Sequence, residues 1–321
     1  MAETNDTAIR IGISACLLGK KVRYDGGHKQ DRFLTETLGQ HFSWAPVCPE
    51  VEFGLGIPRP TIRLQRRGED IRVVMPSEQR DITKGMQTWS RRRTNELAGE
   101  ELCGFVLKNR SPSCGMERVK VHPEKQGPSR KDGRGVFDEA LFNQFPNLPI
   151  EEEGRLCDPR LRENWITRVF AYHRVVRLWQ SRWTLGELVA FHTAHKYLLL
   201  AHSPQTYRDL GRLVAAAKKH PRNELKATYE RELMDGLKKI ATAAKNTNVL
   251  QHMAGYFKKQ LDGPSRQELL SVITDYRQGL VPLVVPLTLI AHYVRIFDVE
   301  YLKGQVYLNP HPKELALRNH V

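Results

Sequence analysis

Five cysteines occur in the chain, and three stand where a short apolar run gives way to a turn-rich loop. Cys16 follows "AIRIGISA" and opens "CLLGKKVRYDGGHK"; Cys48 ends "FSWAPVC"; Cys114 lies just past "CGFVLK", in "NRSPSCG". Thiols serve as ligands or nucleophiles when ionised and as small apolar fillers when buried. An odd number of cysteines in a long chain without an export signal argues against a disulfide framework. The chain lacks the paired ligands two to four residues apart that mark structural zinc, and the closely spaced runs of ferredoxin clusters. Three converging thiolates without an obvious fourth leave one metal position open, which suits chemistry rather than scaffolding. A [4Fe–4S] cluster with one iron not bound by protein fits that count. A nucleophilic cysteine and plain buried cysteines stay open as readings of the same residues. Cys103, starting an apolar run, reads as core; Cys157, in a linker, could supply a fourth ligand.

Convergence depends on the elements that carry these residues. "IRIGISA", "FSWAPVC", "RVVMP" and "CGFVLK" alternate with helix-length segments such as "DITKGMQTWSRRRTNELAGEE". Such alternation predicts βαβ units and a mainly parallel sheet, whose strands share one carboxyl edge where ligands bind. Asp81 is the expected N-cap of the long helix. From Val119 to Glu153 the sequence reads as loop-rich, with "HPEKQGPSRKDGRG" irregular. Beyond Asp158–Pro159 every segment shows apolar residues at three- and four-residue spacing, so residues 159–321 read as an all-α domain after an α/β domain over 1–158.

The 321 residues suffice for two domains. No apolar stretch reaches the roughly 18–20 residues of a membrane span, and the opening "MAETNDTAIR" lacks a signal-peptide core. A cytoplasmic protein without a membrane partner is expected. The net charge of +14 is uneven: residues 1–158 hold 25 Lys and Arg against 23 Asp and Glu, and residues 159–321 hold 25 against 13. A surplus of that kind suggests an anionic partner for the helical half, with nucleic acid a candidate, or simply a solvated basic surface. The basic residues Lys20, Lys21, Arg23 and Lys29, with Lys108 and Arg110, could hold a substrate phosphate or merely face solvent. His192, His195 and His202 lie at helical spacing but lack a matching carboxylate, so surface or capping roles are expected. "WSRRRTN" (Trp89 to Asn95) reads as an exposed helix face.

The motifs "CLLGKKVRYDGG", "CPE" and "KNRSPSCG" resemble the signature of the DUF523 family, whose characterised members are thiouracil desulfidases. "HKYLLLAHSPQTYRDLGRLVA" and "VPLVVPLTLIAHYV" resemble the DUF1722 domain often fused to it. The resemblance implies a Rossmann-like domain with a [4Fe–4S] cluster on Cys16, Cys48 and Cys114. It implies Glu50 as catalytic acid/base and Ser111 as catalytic serine, with Ser113 close enough to take that role. Lys20, Arg23, Lys108 and Ser113 are then candidate substrate contacts. The implied reaction is redox-neutral hydrolysis of a thiolated pyrimidine, as base, nucleoside, nucleotide or in RNA, releasing hydrosulfide. The alternative from another class is a nucleic-acid-binding protein with a structural or redox-sensing cysteine site. A sulfur-adding enzyme would need ATP activation, and the chain has no GxxxxGK[ST] phosphate loop.

Overall fold

A computed structural model describes residues 9–320. Most of the opening segment read for a leader lies outside them. The chain divides into two compact units, Met1–Cys157 and Asp158–Val321.

In chain order the first unit contains strands β1 (Ile9–Ser14) and β2 (Phe42–Val47), the one-turn helix α1 (Pro49–Glu52), and strands β3 (Arg63–Arg67), β4 (Asp70–Met75) and β5 (Arg80–Asp81). Helix α2 (Thr83–Leu97) and strands β6 (Gly104–Leu107), β7 (Val119–Pro123) and β8 (Arg130–Gly133) come next, then α3 (Val136–Gln144) and β9 (Ile150–Glu152). One sheet is parallel throughout, in the order β2-β1-β6-β9. Its strands are short apolar runs because both faces are covered; Ile11, Ile13, Phe105 and Val106 are fully buried. Gly12 lets β6 approach, since a Cβ there would meet the Phe105 ring at 2.2 Å. The strand order reverses between β1 and β6, so a crevice opens at their carboxyl ends.

The strand "RVVMP" belongs elsewhere. It is β4, in a second, mixed sheet ordered β5-β4-β3-β7-β8. Gly68 and Glu69 join β3 to β4, and a two-residue connection can only return the chain antiparallel; Gly68 takes the required positive φ of 60°. The stretch expected to be irregular supplies β7, β8, α3 and β9. Strand β8 is hidden in the sequence because it is an edge strand with Arg130, Lys131 and Asp132 all exposed, so it has no apolar alternation. Asp81 accepts from the Thr83 amide at 2.9 Å, but the cap position itself falls to Ile82.

The second unit is helical, with α4 (Pro159–Gln180), α5 (Leu185–His202), α6 (Pro204–Ala215), α7 (Arg222–Lys238) and α8 (Ala243–Ala254). It continues through α9 (Gly263–Arg277), α10 (Val284–Ile296) and the short α11 (Glu300–Lys303). Asp158 caps α4, and Thr184 with Glu187 forms a capping box on α5. One core gathers Val175, Leu198, Tyr229, Leu250 and Ile290, all fully buried. His192, His195 and His202 are buried rather than at the surface, each with Nδ1 bonded: to the Tyr229 hydroxyl, the Phe191 carbonyl and the Lys239 carbonyl. Trp89 likewise turns into the core of the first unit, while Arg91 and Arg92 beside it are exposed. Among the described residues no helix is long and apolar enough to cross a membrane.

Candidate active site

The carboxyl ends of β1, β2 and β6 bring Cys16, Cys48 and Cys114 into the wall of one cavity of about 370 Å³. Cys16 lies in a tight turn closed by Gly19, whose φ of 83° permits its left-handed cap. Cys48 is the N-cap of α1, and its amide donates to Glu52 Oε1 at 2.8 Å. Cys114 sits on a loop braced by Ser111 Oγ, which accepts from the amides of Ser113 (3.3 Å) and Cys114 (3.2 Å). Burial, and secondarily the neighbouring Cys48, pushes the Cys16 thiol up to about 11. Burial raises Cys48 too, and raises Cys114 most of all, with Cys16 and Cys48 adding to it. The three groups therefore feel one another's charge. Thiols held protonated in this way are poor free nucleophiles, and a cation replacing their protons relieves the repulsion. All five cysteines are free. Among the described residues no three His, Cys, Asp or Glu side chains are grouped to hold a single metal ion. Cys103 is buried with its sulfur 3.7 Å from the Glu101 carbonyl, and Cys157 is exposed; neither lines the cavity.

Glu50, on α1 two residues after Cys48, enters the same cavity. Its Oε1 accepts from Ser113 Oγ at 2.8 Å, and its Oε2 accepts from Arg59 Nε (3.0 Å) and Nη2 (2.7 Å). Because the one Ser113 hydroxyl proton goes to the carboxylate, the 3.0 Å contact between Ser111 Oγ and Ser113 Oγ has Ser111 as donor. The hydroxyls thus form a chain from Ser111 through Ser113 to Glu50. Arg59 is a member of the site that the sequence reading missed. Its side chain is 2 % exposed, and it also donates to the carbonyls of Gly56 and Val22. The available signal is an arginine between two prolines in "GLGIPRP", a few residues after the CPE motif: a cation in so rigid a segment needs a fixed partner.

The basic residues divide. Arg23 and Lys108 line the cavity, Lys20 does not, and Lys20, Lys21 and Lys29 are exposed. Lys108 Nζ is already held by Glu153 and by Asn109 Oδ1, so its charge is largely neutralised. Arg110 borders both this cavity and an adjoining groove of about 550 Å³ lined by Arg63, Arg118, Lys120, His122 and Lys131. None of the five Arg and Lys side chains of this groove makes an ion pair among the described residues. Burial, then Arg63 and Lys120, lowers the His122 pKa, as crowding of like charges should. The uncompensated charge nearest the cysteines thus comes from the half whose total charge is almost balanced.

A glycine sets the cysteine loop. Gly135, capping α3, lies under it, and a Cβ there would meet the Ser113 carbonyl oxygen at 2.5 Å and the Gly115 nitrogen at 2.8 Å. Both obstacles are backbone. Gly135→Ala is expected to cost about 1–3 kcal/mol by overpacking and to shift Ser113 and Cys114, lowering the melting temperature and iron uptake together. Unchanged values for both would show the loop to be compliant.

A parallel sheet with three thiols and a carboxylate at its switch point, followed by a helical unit, defines a two-domain α/β protein with a thiol-lined site. Residues 11–153 match the 2-thiouracil desulfurase family, and residues 196–312 match DUF1722, a family of unknown function. The chain is 34% identical over 161 residues to the uncharacterized protein YbgA of Escherichia coli (strain K12), spanning 50% of this chain and 95% of that protein. It belongs to the YbgA family, as a fusion of a 2-thiouracil desulfurase (DUF523-type) domain with a DUF1722 domain. Among solved structures it is similar to the [4Fe-4S]-dependent thiouracil desulfidase TudS, with 32% identity over 46% of this chain and 93% of that one, and a TM-score of 0.38.

Proposed function

We propose that the first unit is a desulfidase that hydrolyses the thiocarbonyl of a thiolated pyrimidine to a carbonyl, using a [4Fe–4S] cluster held by Cys16, Cys48 and Cys114. The observation that carries this reading is the convergence of three strand-end thiols with a hydrogen-bonded carboxylate in one cavity, within a match to the desulfurase family. The donor set suits a cluster: three soft ligands on three separate loops line one cavity of about 370 Å³, larger than one ion needs. When bound, such a cluster supplies a soft Lewis-acid position for the substrate sulfur.

The protein groups manage water and protons. Glu50 accepts a proton from the water attacking the thiocarbonyl carbon, and returns it as the C–S bond breaks. Arg59 fixes the carboxylate by occupying Oε2, leaving Oε1 toward Ser113. Ser113 takes the place beside Glu50, while Ser111 braces the Cys114 loop and donates to Ser113. Water and a thiocarbonyl give a carbonyl, hydrosulfide and a proton, so no electrons are exchanged. The groove running from Arg110 to Lys131 supports a substrate carrying phosphate, as a nucleotide or within RNA.

The test is anaerobic reconstitution with iron and sulfide, then measurement of hydrosulfide released from 2- and 4-thiouracil and from 4-thiouridine alone, as its monophosphate and in RNA. Release is expected, with the phosphate-bearing forms favoured at low salt and losing that advantage as salt rises. A protein that binds RNA yet releases no hydrosulfide from any of them would leave the nucleic-acid-binding alternative standing.

A further inference from the structure

The helical unit contains a cavity of its own, about 360 Å³ in volume, within the range of small-molecule sites. Its deep wall is polar although it lies inside a helical bundle. Asn246 Nδ2 donates to the Tyr276 hydroxyl at 3.0 Å, and its Oδ1 accepts from the Tyr307 hydroxyl at 2.9 Å. Arg318 donates to Glu163 at 3.1 Å and to the Tyr307 carbonyl at 2.7 Å. These groups hold one another in place.

One acceptor of a buried side chain is open to the cavity and unused. His202, 6% exposed, donates from Nδ1 to the Lys239 carbonyl at 2.7 Å. A carbonyl can only accept, so the proton is on Nδ1, and burial, with Arg318 and Lys245 nearby, pushes the imidazole down to about 4 and keeps it neutral. Its Nε2 is therefore an acceptor, and it has no partner among the described residues.

The exposed rim has the opposite character. Arg160 and Arg277 border the cavity, and neither makes an ion pair among the described residues. Thr242 and Ala243, the start of the 12-residue α8, lie on the same rim. Thr242 Oγ1 accepts from the Lys245 amide, which leaves the earlier amides of that turn available to an anion. Among the described residues Glu163 is the only carboxylate on the lining, and Arg318 neutralises it.

We propose that this cavity binds a phosphorylated metabolite of nucleotide size, its phosphate between Arg160, Arg277 and the first turn of α8, and a donor on its organic part bonded to His202 Nε2. A bare anion would satisfy the rim and leave the His202 acceptor alone; a neutral molecule would leave two arginines unanswered. The site shares no residue with the cysteine cavity and does not depend on the desulfidase reading.

Isothermal titration of the full chain with uridine 5′-monophosphate, uridine and inorganic phosphate tests it. The monophosphate is expected to bind more tightly than either fragment. Arg160→Gln together with Arg277→Gln should weaken it by about tenfold or more, the scale of a lost charge-assisted contact, with hydrosulfide release unchanged. Arg277→Gln alone, at an exposed position, guards against misfolding and should weaken it in part. Absence of binding at millimolar monophosphate, or binding that ignores the arginine changes and therefore resides in the cysteine cavity, overturns the proposal. Phosphate binding as tightly as the monophosphate overturns the role of His202.

Discussion

Cys16→Ala, Cys48→Ala and Cys114→Ala are each expected to lose or degrade the cofactor, whereas Cys103→Ala and Cys157→Ala should retain about four irons per chain after anaerobic reconstitution. The expectation follows from placement. The first three thiols wall one cavity, where Cys48 raises the pKa of Cys16 and both raise that of Cys114, so the three are available to one shared group. Cys103 lies in the core and Cys157 at the surface, both away from that cavity. Alanine at position 103 removes a buried sulfur and costs stability, but leaves the ligand count intact. Iron and acid-labile sulfide content, with the brown absorption of the reconstituted protein, gives the readout. A Cys157→Ala protein unable to hold iron would overturn the three-ligand assignment.

Glu50→Gln should lower hydrosulfide release by about 10²-fold or more, the usual cost of losing a general base, while iron content stays near that of the parent chain. The amide preserves size and can still accept from Ser113, but it cannot take a proton from water at neutral pH. The same change leaves Arg59 buried without its anion, so the melting temperature should fall as well. The separation of roles lies in the serines. Ser113→Ala removes the hydroxyl that touches Glu50 and should reduce turnover with little effect on iron content. Ser111→Ala removes the brace on the Ser113 and Cys114 amides and should disturb iron content as well as turnover. Near-normal turnover in Glu50→Gln would remove this carboxylate from the chemistry. Equal effects of the two serine changes on iron would remove the distinction between them.

Much of this site is legible in the amino-acid sequence because its main signals are local. Apolar runs ending in cysteine mark strand ends whatever the rest of the chain does. A parallel sheet then collects those ends along one edge, so the grouping of Cys16, Cys48 and Cys114 follows from periodicity and sheet geometry together. The helical character of residues 159–321 is equally local, since three- and four-residue spacing survives in every segment. Tertiary structure decides which partner each side chain meets. Ser113 rather than Ser111 reaches Glu50, across 63 residues of chain, because the Ser111 hydroxyl is engaged by the backbone of its own turn. Arg59 becomes the carboxylate's counterion because a Gly- and Pro-rich segment doubles back over α1, a path no propensity prescribes. The charge lies furthest from expectation. Net charge sums residues wherever they lie, but a field depends on neighbours, and only the pairing of β3 with β7, and of β7 with β8, sets Arg63, Lys120 and Lys131 beside Arg110 without a carboxylate to answer them.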